Sequence, residues 1–292
     1  MTRAGEFEDL RPLLFAIAYR ILGSVGEAED AVQESWLRYE SAAAEPASAR
    51  AFLSAVVTRI SIDVLRSARV RRETYVGQWL PEPLLTDPYE DPARSAELSD
   101  SLSMAALLLL ERLSPLERAV FVLREVFDLA YGEIAAALGK TPAAVRQIAH
   151  RARAHVTARR PRGVVSRAET RDALAAFQRA AETGDLQQLA DILAPDVVFL
   201  GDGGGIAQAV RTPIVGASRV ARLLAVGLGR IPAAASIEPA EVNGYPALIL
   251  RLNSAVDTVL AVRIDDGLIT GLYAVRNPEK LSHMGQETTL RR

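Results

Sequence analysis

The spacing of apolar residues changes once along this chain, and that change limits what it can fold into. As far as about Arg159, apolar side chains recur every three or four residues, the period of an amphipathic helix. Leu10, Leu13, Leu14, Ile17, Ala18, Ile21 and Leu22 predict a first helix, broken at Gly23-Ser24-Val25-Gly26. Ala28, Ala31, Val32, Ser35, Trp36 and Tyr39 predict a second, and Glu27, Glu29 and Asp30 suit the positive end of its dipole. After Glu45-Pro46 a third helix runs from about Ser48 through Phe52, Val56, Ile60 and Val64. Pro81, Pro83, Pro88 and Pro92 then exclude a continuous helix and predict a linker with extended stretches. The helical period resumes from about Ala93 to Arg159 and stops at Arg160-Pro161-Arg162-Gly163.

From about Arg167 the pattern differs. One amphipathic helix (Leu174, Phe177, Ala181) and a short second one (Leu186, Leu189, Ile192, Leu193) give way to strand signals at Val197 to Leu200, Ala247 to Leu252 and Thr258 to Ile264. Asp265-Asp266-Gly267 is a hairpin turn leading into Leu268 to Val275. Helices followed by a long antiparallel sheet make an α+β domain. The chain thus divides into an all-α part at 6–75, a linker at 76–95, a second all-α part at 96–160, an α+β domain at 168–281 and a tail at 282–292.

Composition narrows the function classes. With 292 residues, 49% of them hydrophobic, the chain can build two or three cores. It has no cysteine, which excludes disulfides, Cys-ligated zinc and a thiol nucleophile, and fits a cytoplasmic setting. The longest apolar run, Met104 to Leu110, is too short to span a bilayer, and Met1 to Phe7 lacks the apolar core of a secretory signal. Thirty-four basic against thirty-six acidic residues give a net charge of −2, which as a sum argues against nucleic-acid binding.

The distribution of charge argues the other way. No acidic residue occurs between Ile134 and Arg167, whereas Lys140, Arg146, Arg151, Arg153, Arg159, Arg160, Arg162 and Arg167 are basic. This stretch also carries helix punctuation. Ser114-Pro115-Leu116-Glu117 is a capped helix start, and that helix ends at Asp128-Leu129. Tyr131 to Leu138 forms a short helix stopped by Gly139, and Thr141-Pro142 opens the next. In that last helix Val145, Ile148, Ala149 and Ala152 share the apolar side, leaving Arg146, Gln147, His150, Arg151 and Arg153 to point elsewhere. Short helix, glycine turn and capped basic helix is the helix-turn-helix pattern, whose second helix enters the major groove. Arg and Gln there can contact base edges while the other cations neutralise phosphates. A second basic cluster, Arg59, Arg66, Arg69, Arg71 and Arg72 around Asp63, is weaker by itself, since a solvated helix end looks the same.

Glu27 through Arg38, Glu-Ala-Glu-Asp-Ala-Val-Gln-Glu-Ser-Trp-Leu-Arg, closely resembles the region-2 core helix of bacterial extracytoplasmic-function sigma factors. Phe52-Leu53 through Ile62-Asp63-Val64-Leu65-Arg66 resembles the segment that follows it in that family, and Leu113 to Val156 resembles region 4. The resemblance covers residues 6–159. It implies two all-α sigma modules, a region 2 helical bundle and a region 4 helix-turn-helix, with core RNA polymerase (its β′ clamp helices and β flap) and promoter DNA as partners. Carried onto these positions, Asp30, Gln33, Glu34 and Leu37 would bind polymerase, with Trp36 either a further contact or core. Thr58, Arg59, Asp63, Arg66, Arg69, Arg71 and Arg72 would meet the −10 element, and Thr141, Arg146, Gln147, His150, Arg151 and Arg153 the −35 element. The chain departs from the family at Phe52-Leu53 and Thr58-Arg59, where many members have Trp-Leu and Arg-Asn.

Trp79-Leu80-Pro81-Glu82-Pro83 in the linker and Asn277-Pro278-Glu279-Lys280-Leu281 near the end resemble signatures of the members with a fused C-terminal SnoaL-like domain. Asp202-Gly203-Gly204-Gly205 resembles that subgroup's Asp-Gly-Gly-Gly-Lys motif, with Ile206 in place of Lys. The resemblance implies a cone-shaped α+β domain with a curved antiparallel sheet around a pocket, modulating the sigma modules from within the same chain. The linker signature, the glycine motif and the terminal signature are the expected contacts for that modulation. Leu248, Leu250, Val259, Ala261, Leu272 and Ala274 are expected as core or as the lining of a site for a small hydrophobic ligand. A catalytic His-Asp pair is not evident, because His283 lies beyond the sheet, and no metal or cofactor motif is present. The competing class is a one-component transcription regulator using the helix-turn-helix with the last domain as ligand sensor. It leaves the Glu29-Asp30 helix and its basic follower unexplained.

Overall fold

The computed structural model describes residues 2–86, 103–157, 167–230, 232 and 235–285. Three helices open the chain: α1 (Arg3–Leu22), α2 (Val25–Glu40) and α3 (Ala49–Glu73). The break between the first two is shorter than the four residues read from sequence. Gly23 closes α1 at φ 69°, and Ser24 caps α2 by accepting from Glu27 N at 3.3 Å. A left-handed residue followed directly by a capping serine turns the chain in two residues.

The second helical part holds α4 (Met104–Leu110), α5 (Pro115–Phe121), α6 (Tyr131–Leu138) and α7 (Pro142–Thr157). Ser114 and Glu117 form the reciprocal capping box expected of α5, and Thr141 Oγ1 accepts from Ala144 N at 3.2 Å at the head of α7. The helix expected to run to Phe127 continues beyond α5 as a π-helical turn, Val122–Val126. The predicted helical stretches at 93–102 and 158–159 lie outside the described residues.

The two helical parts share one core, in which Leu14, Ile17 and Leu53 belong to the same buried cluster as Leu123, Ile134 and Val145. Such continuity joins them as a single packed body rather than two beads on a linker.

The C-terminal part contains α8 (Arg167–Thr183), α9 (Leu186–Asp191), β1 (Leu193–Asp202), β2 (Ile214–Val215), α10 (Ala217–Leu228), β3 (Ser236–Val242), β4 (Tyr245–Leu252), β5 (Ala255–Asp265), β6 (Leu268–Val275) and α11 (Pro278–Leu281). Sequence reading missed β2, α10 and β3, and gave Leu193 to a helix. The sheet order is β2-β1-β6-β5-β4-β3, and the hairpin at Asp266 and Gly267 has the positive φ angles its sequence demands. The sheet is mixed rather than wholly antiparallel, because β1 pairs in parallel with β6, Phe199 opposite Leu272. Strands β3 to β6 form a meander after the α10 crossover, and their return brings β6 alongside β1 in the same direction.

Both sheet faces are covered. Leu174, Phe177, Phe199, Leu224, Leu248, Leu272 and Ala274 fill the space between the helices and the inner face. Ile249, Val259 and Val275 belong to a separate cluster on the outer face, with Leu80 of the linker, Met104 of α4 and Leu281 of α11. This corrects the expectation that Leu248 and Val259 line one surface. Register places Val259 opposite Ile249 and Val275, so it points away from Leu248. Ala261 packs with the outer cluster too, and Leu250 is half-buried.

Candidate interdomain junction and nucleic-acid interface

The linker signature, the glycine motif and the terminal signature, far apart in sequence, meet at Asp202. Its side chain is fully buried at the end of β1. Oδ2 accepts from Leu80 N at 2.9 Å and from Lys280 Nζ at 2.8 Å; Oδ1 accepts from Tyr75 Oη at 2.6 Å and from Gly204 N at 3.0 Å. A carboxylate taken out of water persists only when its lone pairs are filled in this way. Lys280 also donates to Leu80 O at 2.5 Å and lies over the Trp79 ring at 4.1 Å and the Tyr75 ring at 5.0 Å. Burial, reinforced by the hydrogen bond to Asp202, raises the Tyr75 phenol well above its ordinary range, so it stays a donor. Asn277 caps α11 through Glu279 N and donates to Tyr75 Oη at 2.9 Å.

The glycines are steric requirements of this junction. A Cβ at Gly203 would stand 2.1 Å from Ala207 O. At Gly204, with φ +62°, it would stand 2.3 Å from Asn277 Nδ2. Gly205 and Ile206 are exposed, so the position where the motif has Lys takes no part in holding Asp202, and the buried cation there is Lys280. Pro278 and Glu279 are also exposed, leaving Leu281 as the buried apolar residue of α11.

Residues 75–86 therefore form a strap rather than a free linker, with Leu80, Pro81, Pro83 and Leu84 buried. Its second attachment is to the first helical part. Glu82 accepts from Ser24 Oγ at 2.8 Å and Val25 N at 2.6 Å, placing a carboxylate at the N-terminus of α2, and Glu82 N donates to Gly23 O at 2.9 Å. Tyr19 Oη donates to Glu82 O at 2.5 Å and lies 3.4 Å from Asn243 Oδ1. Asn243, at the β3–β4 turn, accepts from Leu84 N at 2.6 Å and returns a backbone hydrogen bond to Leu84 O at 2.7 Å. Beyond it, Leu85 bridges to Val242 and Thr86 N donates to Glu241 O, so the strap adds a short stretch to edge strand β3. His283, expected to have no catalytic role, contacts Pro83 O at 2.7 Å.

The sequence reading missed Tyr19, Tyr75 and Asn243. A lone tyrosine has no local signature, but Asn243-Gly244 between two strands is a hairpin dipeptide.

The two basic segments are presented differently. On α7, Val145, Ile148, Ala149 and Ala152 are buried as expected, and Thr141, Arg146, Gln147 and His150 are exposed. Arg151 is exposed and 3.6 Å from Glu117. Arg153 is held by Glu125 at 2.8 Å and Tyr131 at 3.2 Å, which raises its guanidinium above the ordinary range and orients it within the module.

On α3 the expected surface is partly used up. Thr58 is a correction. It is fully buried, and its hydroxyl donates to Ser54 O at 2.6 Å, because its face of α3 is a core face. Arg59 donates from Nε to Ala137 O at 2.5 Å and from Nη2 to Ala136 O at 3.3 Å, at the C-terminal end of α6. Asp63 and Arg66 pair with each other at 3.1 Å and are exposed. The side chains of Arg69, Arg71 and Arg72 lie outside those described.

On α2, Asp30, Gln33, Glu34 and Leu37 share the outward face, with Leu37 52% exposed despite being apolar. Trp36 is half-buried, packing on Phe7 at 5.0 Å between ring centroids and on Tyr39 while part of its surface stays open. A cleft of about 230 Å³ opens beside Gln33, floored by Phe7, Val32 and Trp36.

These elements have known counterparts. Residues 7–71 match the Sigma-70 region 2 family and residues 103–156 match Sigma-70, region 4. The chain is 36% identical over 297 residues to the ECF RNA polymerase sigma factor SigJ of Mycobacterium tuberculosis, covering 95% of this chain and 92% of that protein. The chain belongs to the extracytoplasmic-function RNA polymerase sigma factors. A second sigma factor, the probable ECF factor SigI of the same species, is 34% identical over 280 residues, covering 95% of this chain and 94% of its own. The crystal structure of Mycobacterium tuberculosis SigJ superposes with a TM-score of 0.77 at 33% identity, covering 98% of this chain and all of that one. As a sigma factor the chain binds core RNA polymerase and promoter DNA to start transcription, and the one-component regulator is not favoured. Sigma factors are not enzymes. Among the described residues no helix is long and apolar enough to cross a membrane.

Proposed function

We propose that this sigma factor is regulated by its own C-terminal domain, which grips residues 75–86 as a strap and so holds the two DNA-reading modules together. Core polymerase then selects a separated arrangement. The observation that carries this reading is the buried Asp202 carboxylate, which ties the strap's Leu80 amide to Lys280 of the C-terminal domain. The −10 and −35 elements lie about 25 base pairs apart by position, or roughly 85 Å along the duplex at 3.4 Å per pair. Modules that share one hydrophobic core cannot reach both at once.

In the open factor, α2 offers Asp30, Gln33, Glu34 and Leu37 to polymerase, residues 59–72 of α3 meet the −10 element, and α7 meets the −35 element through Arg146, Gln147 and His150. The factor acts in the cytoplasm, where its polymerase is. Phe177, Phe199, Leu248 and Leu272 pack the interior of the last domain, which supports a bracing role there over a hydrophobic-ligand site.

Because the chain has no cysteine, dye pairs can be placed by introducing two. Energy transfer between α2 and α7 and run-off transcription with limiting core enzyme test the proposal in Trp79→Ala and Asn277→Ala. Both variants are expected to open the free factor and to change transcription. If both substitutions leave both readouts unchanged, the strap has no regulatory part.

A further inference from the structure

Arg59 is expected at the −10 element, yet in this arrangement its guanidinium is spent on protein. Nε and Nη2, the two donors along one edge of the planar fork, point at Ala137 O and Ala136 O. These carbonyls belong to the last turn of α6, where helix carbonyls lack intrahelical partners and the dipole is negative. Gly139, left-handed at φ 62°, and Lys140 both return their amides to Ala135 O, so the carbonyls of Ala136 and Ala137 remain for Arg59. The contact falls on the turn of the helix-turn-helix. Val56 and Ile60, on the turns of α3 flanking Arg59, lie in one core with Ile134 and Ala135 of α6.

We infer that Arg59 is a positioning residue that latches the helix-turn-helix onto α3 in the free factor and must leave α6 before its segment can engage DNA. The same edge of the fork that grips two carbonyls is the edge that takes a phosphate or a base side-on. One guanidinium cannot serve both, so engagement of the −10 segment and separation of the modules become one event. Arg66, further along α3, lacks this conflict, because it pairs with Asp63 on its own helix.

This rests on the reading that the free factor is closed, and the two are tested apart. Cysteines replace Glu40 at the end of α2 and Ala154 on α7, both exposed, and dyes on them report module separation in the full chain. Arg59→Ala is expected to raise the ratio of open to closed molecules about tenfold, the order for losing hydrogen bonds to a charged group. Arg59→Lys, which keeps the charge but not the fork, is expected between wild type and Arg59→Ala. Arg66→Ala is expected to leave the ratio unchanged. A residue that only touches DNA would leave the free factor's energy transfer unchanged, so no shift in Arg59→Ala overturns the latch. If Trp79→Ala opens the factor and Arg59→Ala does not, the latch fails and strap regulation stands. If Arg59→Ala opens it and neither Trp79→Ala nor Asn277→Ala changes energy transfer or transcription, the latch stands and strap regulation fails. Circular dichroism of each variant separates opening from unfolding.

Discussion

Helices α3 and α7 carry the same chemistry, a row of arginines on a capped amphipathic helix, and offer it in opposite ways. On α7 the apolar residues face inward and Arg146, Gln147 and His150 face water. On α3, Thr58 is in the core and Arg59 is bonded to the carbonyls of α6. The difference is one of address. Helix α7 packs chiefly on α5 and α6 of its own module, whereas α3 lies between its bundle and the helix-turn-helix. A helix with two packed sides has little surface left for a ligand, however basic its sequence. Affinity for DNA in the free factor is thus expected to come from α7, and α3 is the half to be released.

The largest way to break this contrast is at Asp202. Asp202→Ala leaves Lys280 buried without its carboxylate and is expected to cost about 3–5 kcal/mol, because removing one partner of a buried pair strands the other. Urea denaturation gives the loss, and amide exchange gives its location. Exchange should rise along the strap and on the buried turns of α3, with α7 changing least. Equal acceleration in α3 and α7 would show that the strap does not distinguish them.

Gly204→Ala acts on the same junction less severely. A non-glycine residue at φ +62° costs about 1–3 kcal/mol, and the added methyl must also displace the Asn277 amide. Stability should fall by that order, with the strap again exchanging faster. A stability unchanged within 0.5 kcal/mol, roughly the range of neutral surface substitutions, would mean that Asn277 does not pin this loop.

What was legible in the sequence follows from the range of each interaction. The caps at Ser114, Thr141 and Gly139 act over three or four residues, and all are found in place. The turn at Asp265-Asp266-Gly267 was equally local. Asp202-Gly203-Gly204-Gly205 reads locally as a tight loop; its contact with a strap about 120 residues earlier is expected only from the family resemblance, since its partners Leu80 and Tyr75 have no spacing relation to it. The two-sided burial of β5 was misjudged for the same reason. Alternation gives which residues share a face, while the register between strands decides which face Val259 joins. Arg59 reads from sequence as a −10 contact or as part of a solvated helix end. Its partner depends on how two modules sit together, which no local pattern encodes.

Arg146→Ala and Gln147→Ala test the presented half of the comparison. Each is expected to weaken binding of the free factor to its −35 duplex by about 1–3 kcal/mol and to relax preference at one position. Fluorescence anisotropy measures both. Stability should stay within about 0.5 kcal/mol, since neither side chain is buried. The matching substitution on α3, Arg66→Ala, should leave free-factor binding to that duplex unchanged. A loss there as large as in Arg146→Ala would place α3 on the DNA already in the closed state.

The smallest effect belongs to Tyr19→Phe, and it asks whether strap and bundle are one unit. Burial raises the Tyr19 phenol well above its ordinary range, so the group is neutral and donates to Glu82 O. Removing the hydroxyl leaves that carbonyl short of a donor, while Asn243 Oδ1 keeps Leu84 N. The expected cost is about 1 kcal/mol, the net worth of one neutral hydrogen bond. Glu82 would still cap α2, so the change should appear as faster exchange at Glu82 and Leu84 rather than as loss of the helix. If the cost is instead borne by global stability with no local change at the strap, then α1, strap and β3–β4 turn unfold together. The release of α3 would then require the whole junction to open at once.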